Sequence, residues 1–215
     1  MGAARAAPVF PSPALGSVLF TSERLTIRRG GPADAPWLLS LFDEAVAWLV
    51  ARGQTEQWGS EPWSENPRSV ARVHGLAGSG GLRVAELDGD PVGALAVGSH
   101  PVHVPAVDRP ELYINLLLTS RPRASGPLGI QPRTSGPRSS HPAPGRQLGS
   151  RLVQVAVDEA RAGGAHLLRV DCWAGAPTLV AWYERQGFVP SGMFEVNGWR
   201  GQIFTMALDP SAVAA

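Results

Sequence analysis

The segment that most constrains the fold is 111–119, which reads Glu-Leu-Tyr-Ile-Asn-Leu-Leu-Leu-Thr. Apolar side chains at nearly every position are typical of a strand that is covered on both faces. A helix is predicted to open downstream at Gly145, with its amphipathic body over about 149–160. A glycine-bearing helix start leaves backbone N–H groups without intrahelical partners, and the helix dipole adds to their attraction for anions. The pattern indicates a central strand followed by a candidate phosphate seat, the alternative being an ordinary helix start that binds nothing.

The rest of the chain alternates between strand and helix patterns. Strands are predicted at about 25–28, 82–87, 91–97, 166–173, 188–194 and 202–208, and helices at about 34–52, 67–76 and 177–186. Asp-Gly at 88–89 and Asn-Gly at 197–198 are typical of hairpin turns. Helices interleaved with strands, and hairpins toward both ends of the chain, predict an α/β fold with a mixed sheet.

Composition divides the chain into a leader, one domain and an insertion. A length of 215 residues suffices for one large domain with a sizeable core, which we place at 21–210. Residues 1–20 are expected to be a disordered leader. The stretch 121–143 is rich in Pro, Ser and Gly and contains the near-repeat Arg-Ala-Ser-Gly-Pro and Arg-Thr-Ser-Gly-Pro. Because such a composition cannot form a packed core, this stretch is predicted to be a low-complexity surface insertion.

Charge and cysteine usage exclude several classes of partner. A formal net charge of +1 gives no bulk attraction to nucleic acid or to an anionic membrane. No apolar run approaches the ~20 residues that span a bilayer. The lone Cys172 excludes an internal disulfide and fits a reducing cytosol, so a cytoplasmic protein is predicted. The histidines show no metal-ligand spacing, and no metal is expected.

Two parts of the sequence resemble the motifs of the GNAT N-acetyltransferase superfamily. Segment 113–119, followed by Gly-Arg-Gln-Leu-Gly-Ser-Arg-Leu at 145–152, is similar to its acetyl-CoA motif. Segment 168–177, followed by Trp-Tyr-Glu-Arg-Gln-Gly-Phe at 182–188, is similar to its next strand and helix. The resemblance implies a mostly antiparallel central sheet flanked by helices. It also implies transfer of an acetyl group from acetyl-CoA to a primary amine, by direct attack within a ternary complex. The acceptor would be a small-molecule amine or a protein N-terminus, and a homodimer is left open.

The resemblance implies that backbone groups hold the cofactor. The residues lining the pantetheine arm would be Leu117, Leu118 and Thr119, and those around the phosphates Gly145, Arg146, Gln147, Leu148, Gly149 and Ser150. The family pattern is Arg or Gln, two residues, Gly, one residue, then Gly or Ala. Here Pro144 and Gln147 occupy two of the three fixed positions. Proline has no N–H, and glutamine adds a Cβ where the backbone should approach phosphate. The alternative function is therefore a non-catalytic acyl-CoA-binding relative with a degraded phosphate loop.

Two residues are implied as catalytic. Tyr183 matches the general acid that protonates the departing CoA thiolate, since a phenol of pKa ~10 can donate to the conjugate base of a thiol of pKa ~8.5. The alternative is a residue that only packs on its helix. Glu111, at the start of the central strand, would deprotonate the amine directly or through water. The alternative for Glu111 is a solvated strand end.

The polar loop after the first helix carries candidate acceptor contacts. Glu56, Trp58 and Trp63 lie within 54–67. Carboxylates beside indoles suit a cationic amine through charge and cation–π attraction. The alternative is a loop that its two tryptophans pin to the body of the protein.

Overall fold

A computed structural model describes residues 24–120 and 144–208, without the side chains of 144–147. The predicted leader 1–20 and insertion 121–143 lie outside the described residues. The helices are α1 (Ala35–Val50), α2 (Pro67–Gly78), α3 (Pro144–Ala162) and α4 (Pro177–Arg185). The strands are β1 (Leu25–Arg29), β2 (Leu82–Leu87), β3 (Asp90–Gly98), β4 (Glu111–Thr119), β5 (Leu167–Trp173), β6 (Val189–Val196) and β7 (Trp199–Ala207). None of the helices within these ranges is long and apolar enough to cross a membrane.

Local sequence explains where the second helix begins. The side chain of Asn66 accepts hydrogen bonds from the backbone N–H groups of Arg68 and Ser69. Pro67 occupies the first helical position, where its missing N–H costs nothing. Together they fix the start of α2 at the predicted residue, and the helix runs two residues further than predicted, to Gly78.

The strands form one seven-stranded sheet in the order β1-β2-β3-β4-β5-β7-β6. Of the pairs in this sheet, β4 with β5 is parallel, and the others are antiparallel. The prediction of a mixed, mostly antiparallel sheet flanked by helices is therefore confirmed. The parallel pair is short: its last partners are Ile114 and Val170. Beyond them β4 continues beside β3 while β5 continues beside β7, so the two central strands separate.

A one-residue bulge interrupts β4. Val97 of β3 pairs with Ile114, whereas the preceding Ala96 pairs with Leu116, which leaves Asn115 without a partner on β3. An extra residue breaks the two-residue alternation of side chains. Before the bulge Ile114 faces the α3/α4 side of the sheet; after it, Leu117 does.

The core has two main layers, one on each face of the sheet. Helices α3 and α4 cover one face through a cluster that includes Leu152, Ala156, Val170 and Phe204. Helices α1 and α2 cover β2, β3 and the end of β4 on the other face. On that second face, Tyr113 of β4, Ile203 of β7 and Val104 of the loop before β4 form a smaller cluster. The ion pair of Arg169 and Glu111 lies on the neighbouring strands. This part of the sheet is where the candidate site lies.

Candidate active site

The separation of β4 and β5 exposes the backbone edge of β4. No described strand pairs with β4 on its β5 side beyond Ile114. Backbone N–H and C=O groups on such an edge need hydrogen-bond partners, which an extended ligand with amide groups can supply. Leu117, Leu118 and Thr119 lie on this segment, as the prediction for the pantetheine arm requires. Their binding role stays a prediction.

Helix α3 follows β4 in the chain, and its first turns lie near the same end of the sheet. The helix begins at Pro144, so Gly145 and Arg146 contribute the N–H groups of its first turn. Leu148, Gly149 and Ser150 lie in the second turn, where N–H groups are committed to carbonyls within the helix. Phosphate binding by 145–150 stays a prediction, and the side chains of 145–147 lie outside the described residues. Within α3, the backbone N–H groups without an intrahelical acceptor are therefore those of the first turn.

Gly149 has a packing reason that the sequence did not reveal. A Cβ built on Gly149 would stand 3.0 Å from Cζ2 of Trp182, a residue of α4. That distance is shorter than ordinary van der Waals contact, so the missing side chain lets the indole of Trp182 lie against α3. Leu148 beside it is buried in the core. The glycine thus serves helix packing whether or not phosphate binds nearby.

Tyr183 lies on α4 with only 4% of its surface exposed. Its ring contacts Phe204 and Phe188, with centroids 5.4 Å and 5.8 Å away. Burial raises the pKa of its phenol, and the nearby Cys172 and Asp171 raise it further. No hydrogen bond among the described residues involves its hydroxyl. The contacts support the packing interpretation. The acid role stays a prediction, and no described hydrogen bond prevents the hydroxyl from donating to a ligand.

Glu111 is placed away from the point where the strands separate. Its two carboxylate oxygens bond to Nδ1 of His100 at 2.6 Å and to Nη1 of Arg169 at 2.8 Å. Leu117 lies six residues further along β4, ~20 Å at the usual rise of ~3.3 Å per residue. Both oxygens are therefore engaged and distant from the separated strands, so the contacts do not favour the predicted base role. The alternative of a solvated strand end does not fit the contacts either, because the Glu111 side chain is only 10% exposed. The base role stays a prediction.

A cavity of about 740 Å³ lies at the end of β5. Its walls come from the loop after α1, the end of β5 and the loop that follows it, one side of α4 and the β6–β7 hairpin. The charged residues that line it are Glu56, Glu184 and Arg200, and Trp173 forms part of the wall. Glu56 therefore faces a cavity, and its predicted contact with the acceptor stays a prediction. Two carboxylates and one guanidinium give the cavity the character of a site for a cation.

Trp58 and Trp63, which were predicted to contact the acceptor, pack together and do not line this cavity. Trp63 stacks on Phe42 with ring centroids 4.1 Å apart and planes tilted by 7°. Trp58 contacts the same Phe42 at 5.4 Å, and its carbonyl accepts a hydrogen bond from Nε1 of Trp63. These contacts support the alternative in which both tryptophans pin the loop to α1, and they do not favour acceptor binding by Trp58 or Trp63.

A hydrogen bond links the loop after α1 to the β6–β7 hairpin. Nε1 of Trp199 donates to the carbonyl of Gln57 at 2.9 Å, across 142 residues of sequence. Glu56 and Arg200, the neighbours of these two residues in sequence, both line the cavity. The bond therefore holds two walls of the cavity at a fixed distance.

Replacing Trp199 by phenylalanine should loosen this link. The variant keeps an aromatic side chain but loses the N–H donor with the five-membered ring. The free energy of unfolding should therefore fall by about 0.5–1.5 kcal/mol more than in a Trp→Phe change that breaks no hydrogen bond. Urea denaturation measures the change, with Trp37→Phe as the matched control, since no described hydrogen bond involves the Trp37 side chain. Equal stability losses in the two variants would contradict a role for the hydrogen bond.

Sequence reasoning missed a pair of polar residues at the separation of the strands. The hydroxyl of Tyr113 donates to Oδ1 of Asp171 at 2.5 Å. Burial raises the pKa of Asp171, while the hydrogen bond from Tyr113 and the charges of His103 and Arg72 lower it. A signal was present: Asp171 stands between the apolar Val170 and Cys172 in a strand, and a partly buried carboxylate needs a hydrogen-bond partner.

Cys172 is a buried free thiol on the opposite face of β5. Burial, with the neighbouring Asp171, raises its pKa to about 12. The thiol therefore stays protonated at neutral pH and is a poor nucleophile, in keeping with a core residue. In the part of the chain that the structure describes, no three His, Cys, Asp or Glu residues converge as a metal site would require.

Comparisons with known proteins identify the fold. No family model and no curated protein matches the sequence. Solved structures do match: a GNAT-family acetyltransferase from Streptococcus pneumoniae gives a TM-score of 0.54 at 16% identity, covering 86% of this chain and 100% of that one. A protein of Salmonella typhimurium, named as an acetyltransferase and solved with acetyl-CoA, gives 0.53 at 17%, covering 89% and 98%. Ribosomal-protein-alanine N-acetyltransferase from Brucella melitensis gives 0.51 at 21%, covering 85% and 99%.

The chain has the GNAT acetyltransferase fold, which confirms the resemblance at the level of architecture. A fold at this level of identity defines the class and leaves the reaction to be argued from the site.

Proposed function

We propose that this protein binds acetyl-CoA where β4 and β5 separate and transfers the acetyl group to a primary amine held in the adjacent cavity. The observation that carries the proposal is the unpaired edge of β4 beyond Ile114. A cavity lined by Glu56 and Glu184 lies at the end of the neighbouring strand β5. The neighbour that was solved with acetyl-CoA shares this fold. A cytoplasmic location belongs to the same proposal.

The residues present fit acetyl-CoA in part. The open edge of β4 suits the amide groups of the pantetheine arm, because both can make strand-like hydrogen bonds. The first turn of α3 offers the N–H groups of Gly145 and Arg146 to the pyrophosphate. Pro144 contributes no N–H there. The chain therefore offers more hydrogen-bonding groups to the pantetheine arm than to the pyrophosphate.

The chain supplies positioning and electrostatics for the transfer. Acetyl-CoA, when bound, supplies a thioester that an amine can attack directly. The backbone N–H near Leu118 would polarise the thioester carbonyl, as in an oxyanion site. The hydroxyl of Tyr183 would donate to the sulfur as negative charge builds there. Glu56 and Glu184 would draw a protonated amine into the cavity.

The alternative proposal is a non-catalytic acyl-CoA-binding relative. A specific observation favours it: the fixed positions that should cradle phosphate hold Pro144 and Gln147, and Trp182 packs on Gly149. Both proposals place acyl-CoA at the same strand edge. They differ only in turnover.

Release of free CoA thiol separates the two proposals. We expect the purified full chain to release CoA from acetyl-CoA when given putrescine or an alanine-initiated peptide, and to release little without an amine. Calorimetry with CoA reports binding separately. Binding with no release for any amine would favour the non-catalytic relative, and no binding at all would overturn both.

Glu56→Gln tests the acceptor cavity. Removing one carboxylate that faces a cationic amine should raise its KM about threefold to tenfold, the equivalent of roughly 1 kcal/mol of surface charge attraction, and leave kcat nearly unchanged. Glu61→Gln is the matched control, since Glu61 belongs to the same loop and does not line the cavity. Equal KM values for wild type and Glu56→Gln would remove Glu56 from the acceptor site.

A further inference from the structure

The pair of Tyr113 and Asp171 marks the point where the two central strands part. Ile114 and Val170 are the last partners of β4 and β5, and Asp171 is the next residue of β5. Its Oδ1 accepts a hydrogen bond from the hydroxyl of Tyr113, a fully buried residue. Asp171 therefore stands beside the bulge at Asn115, close to the segment where the thioester is proposed to lie.

The second carboxylate oxygen of Asp171 is available to a ligand. No described residue donates a hydrogen bond to Oδ2. The buried side-chain atoms that lack a partner are Nε of Arg161 and Nε of Arg169, so Oδ2 of Asp171 is not shut away from solvent. One oxygen thus holds the carboxylate in place while the other can accept a proton.

Asp171 shares a face of β5 with the wall of the cavity. Trp173, two residues further along the strand, lines the cavity of about 740 Å³. Side chains two residues apart on a strand point to the same side, ~7 Å apart. Asp171 consequently points to the same side of β5 as Trp173, whereas Cys172 and Tyr183 belong to the core on the opposite side.

We infer that Asp171 is the general base that takes the proton from the acceptor amine, and that Tyr113 positions its carboxylate. The inference rests on the proposed function. It reassigns the base from Glu111, whose two oxygens are engaged by His100 and Arg169.

The step balances in protons and bonds. The ammonium group of the acceptor passes one proton to the carboxylate of Asp171 and becomes a neutral amine. Its nitrogen then forms a bond to the thioester carbonyl carbon. The bond from that carbon to sulfur breaks as the Tyr183 hydroxyl passes its proton to the leaving thiolate, and the second nitrogen proton restores the phenol. The carboxyl of Asp171 returns its proton to solvent. The products are an amide, the free thiol and one proton.

The surroundings of Asp171 suit this task. Burial raises the pKa of the carboxyl above 3.8, which makes it a stronger base than an exposed aspartate. The Tyr113 hydroxyl on β4, His103 in the loop before β4 and Arg72 on α2 each lower that pKa. Asp171 in turn raises the pKa of Cys172 and Tyr183 from the other face.

Asp171→Asn is the first test, with the best amine from the CoA-release screen. The variant keeps the acceptor atom for Tyr113 but cannot take a proton, so kcat/KM at pH 7 should fall at least ~100-fold. The defect should shrink at least ~10-fold near pH 10, where an amine of pKa ~10.4 is increasingly deprotonated without help. Asp158→Asn makes the same change at an exposed carboxylate on α3 and is the control.

Tyr113→Phe is the second test and does not depend on how well the first variant folds. Loss of a hydrogen bond that lowers the pKa of Asp171 should move the acidic limb of the kcat/KM profile upward by about one pH unit. A residue that only packs would leave this limb in place. An unshifted limb in a folded variant would overturn the role of Tyr113.

The outcomes separate this inference from the proposed function. Turnover by Asp171→Asn within threefold of wild type at pH 7, with wild type active, overturns the inference alone. A wild type without turnover overturns both. Stability gives a check that needs no activity: because folding raises the pKa of Asp171, the folded state holds this proton more tightly than the unfolded state does. The stability of wild type relative to Asp171→Asn should therefore fall as pH rises through the folded pKa.

Discussion

Replacing Arg169 by methionine should destabilise the protein by about 3–5 kcal/mol. The guanidinium is buried, with 5% of its side chain exposed, and it donates to Glu111 at 2.8 Å and to the carbonyl of Pro105 at 3.1 Å. Methionine fills a similar volume but leaves the largely buried carboxylate of Glu111 with His100 as its remaining partner. Breaking one side of a buried ion pair is costly because the other charge stays desolvated.

Chemical denaturation of four variants measures this effect: Arg169→Met, Glu111→Gln, their double variant and the control Arg29→Met. The double variant Arg169→Met with Glu111→Gln should recover part of the loss, since no charge then remains unpaired. Arg29→Met, at an exposed position on β1, should change stability by no more than about 0.5 kcal/mol. A double variant less stable than the sum of the single variants would show that the ion pair is not the source of the loss.

Tyr183→Phe should lower kcat by roughly 100-fold if the hydroxyl protonates the departing thiolate. The affinity for acetyl-CoA should barely change, because the interaction strengthens only as charge builds on sulfur. Stability should stay within about 1 kcal/mol of wild type, since the aromatic contacts remain and no described hydrogen bond is lost.

Steady-state kinetics with one good amine, beside a thermal melt, distinguish the two roles of Tyr183. An unchanged kcat in a stable variant would leave Tyr183 as a packing residue against Phe188 and Phe204. A lower kcat together with a much lower melting temperature would instead point to a disturbed core. The acid role requires kcat to fall while the melting temperature stays close to that of wild type.

Periodicity was enough to predict the strands and the helices, while the mostly antiparallel pairing of the sheet came from the family resemblance. The apolar run at 111–119 became the central strand, and Asn66-Pro67 fixed the start of α2, because both signals depend on neighbouring residues only. The turn at Asn197-Gly198 was equally local: Asn197 has a φ of 51° and Gly198 a φ of 80°, values that these residue types tolerate.

The candidate site was harder to predict because it depends on pairings between distant residues. Glu111 was placed correctly at the start of β4, yet its partner Arg169 lies 58 residues away and could not be inferred from spacing. The same separation of 58 residues joins Tyr113 to Asp171. Trp58 and Trp63 were ambiguous for a related reason, since only the position of Phe42 decides between packing and binding.

The bulge in β4 makes this strand sensitive to its length. Asn115 is the one residue that puts Leu117 on the α3/α4 layer and Leu116 on the α1/α2 layer. Removing it would turn the rest of the strand over, so that each leucine met the wrong layer while the composition of the strand hardly changed. The number of residues in β4, rather than the identity of one side chain, therefore sets which face of the sheet each leucine occupies. Proteins that keep this arrangement should be free to vary the amino acid at this position but not to delete it.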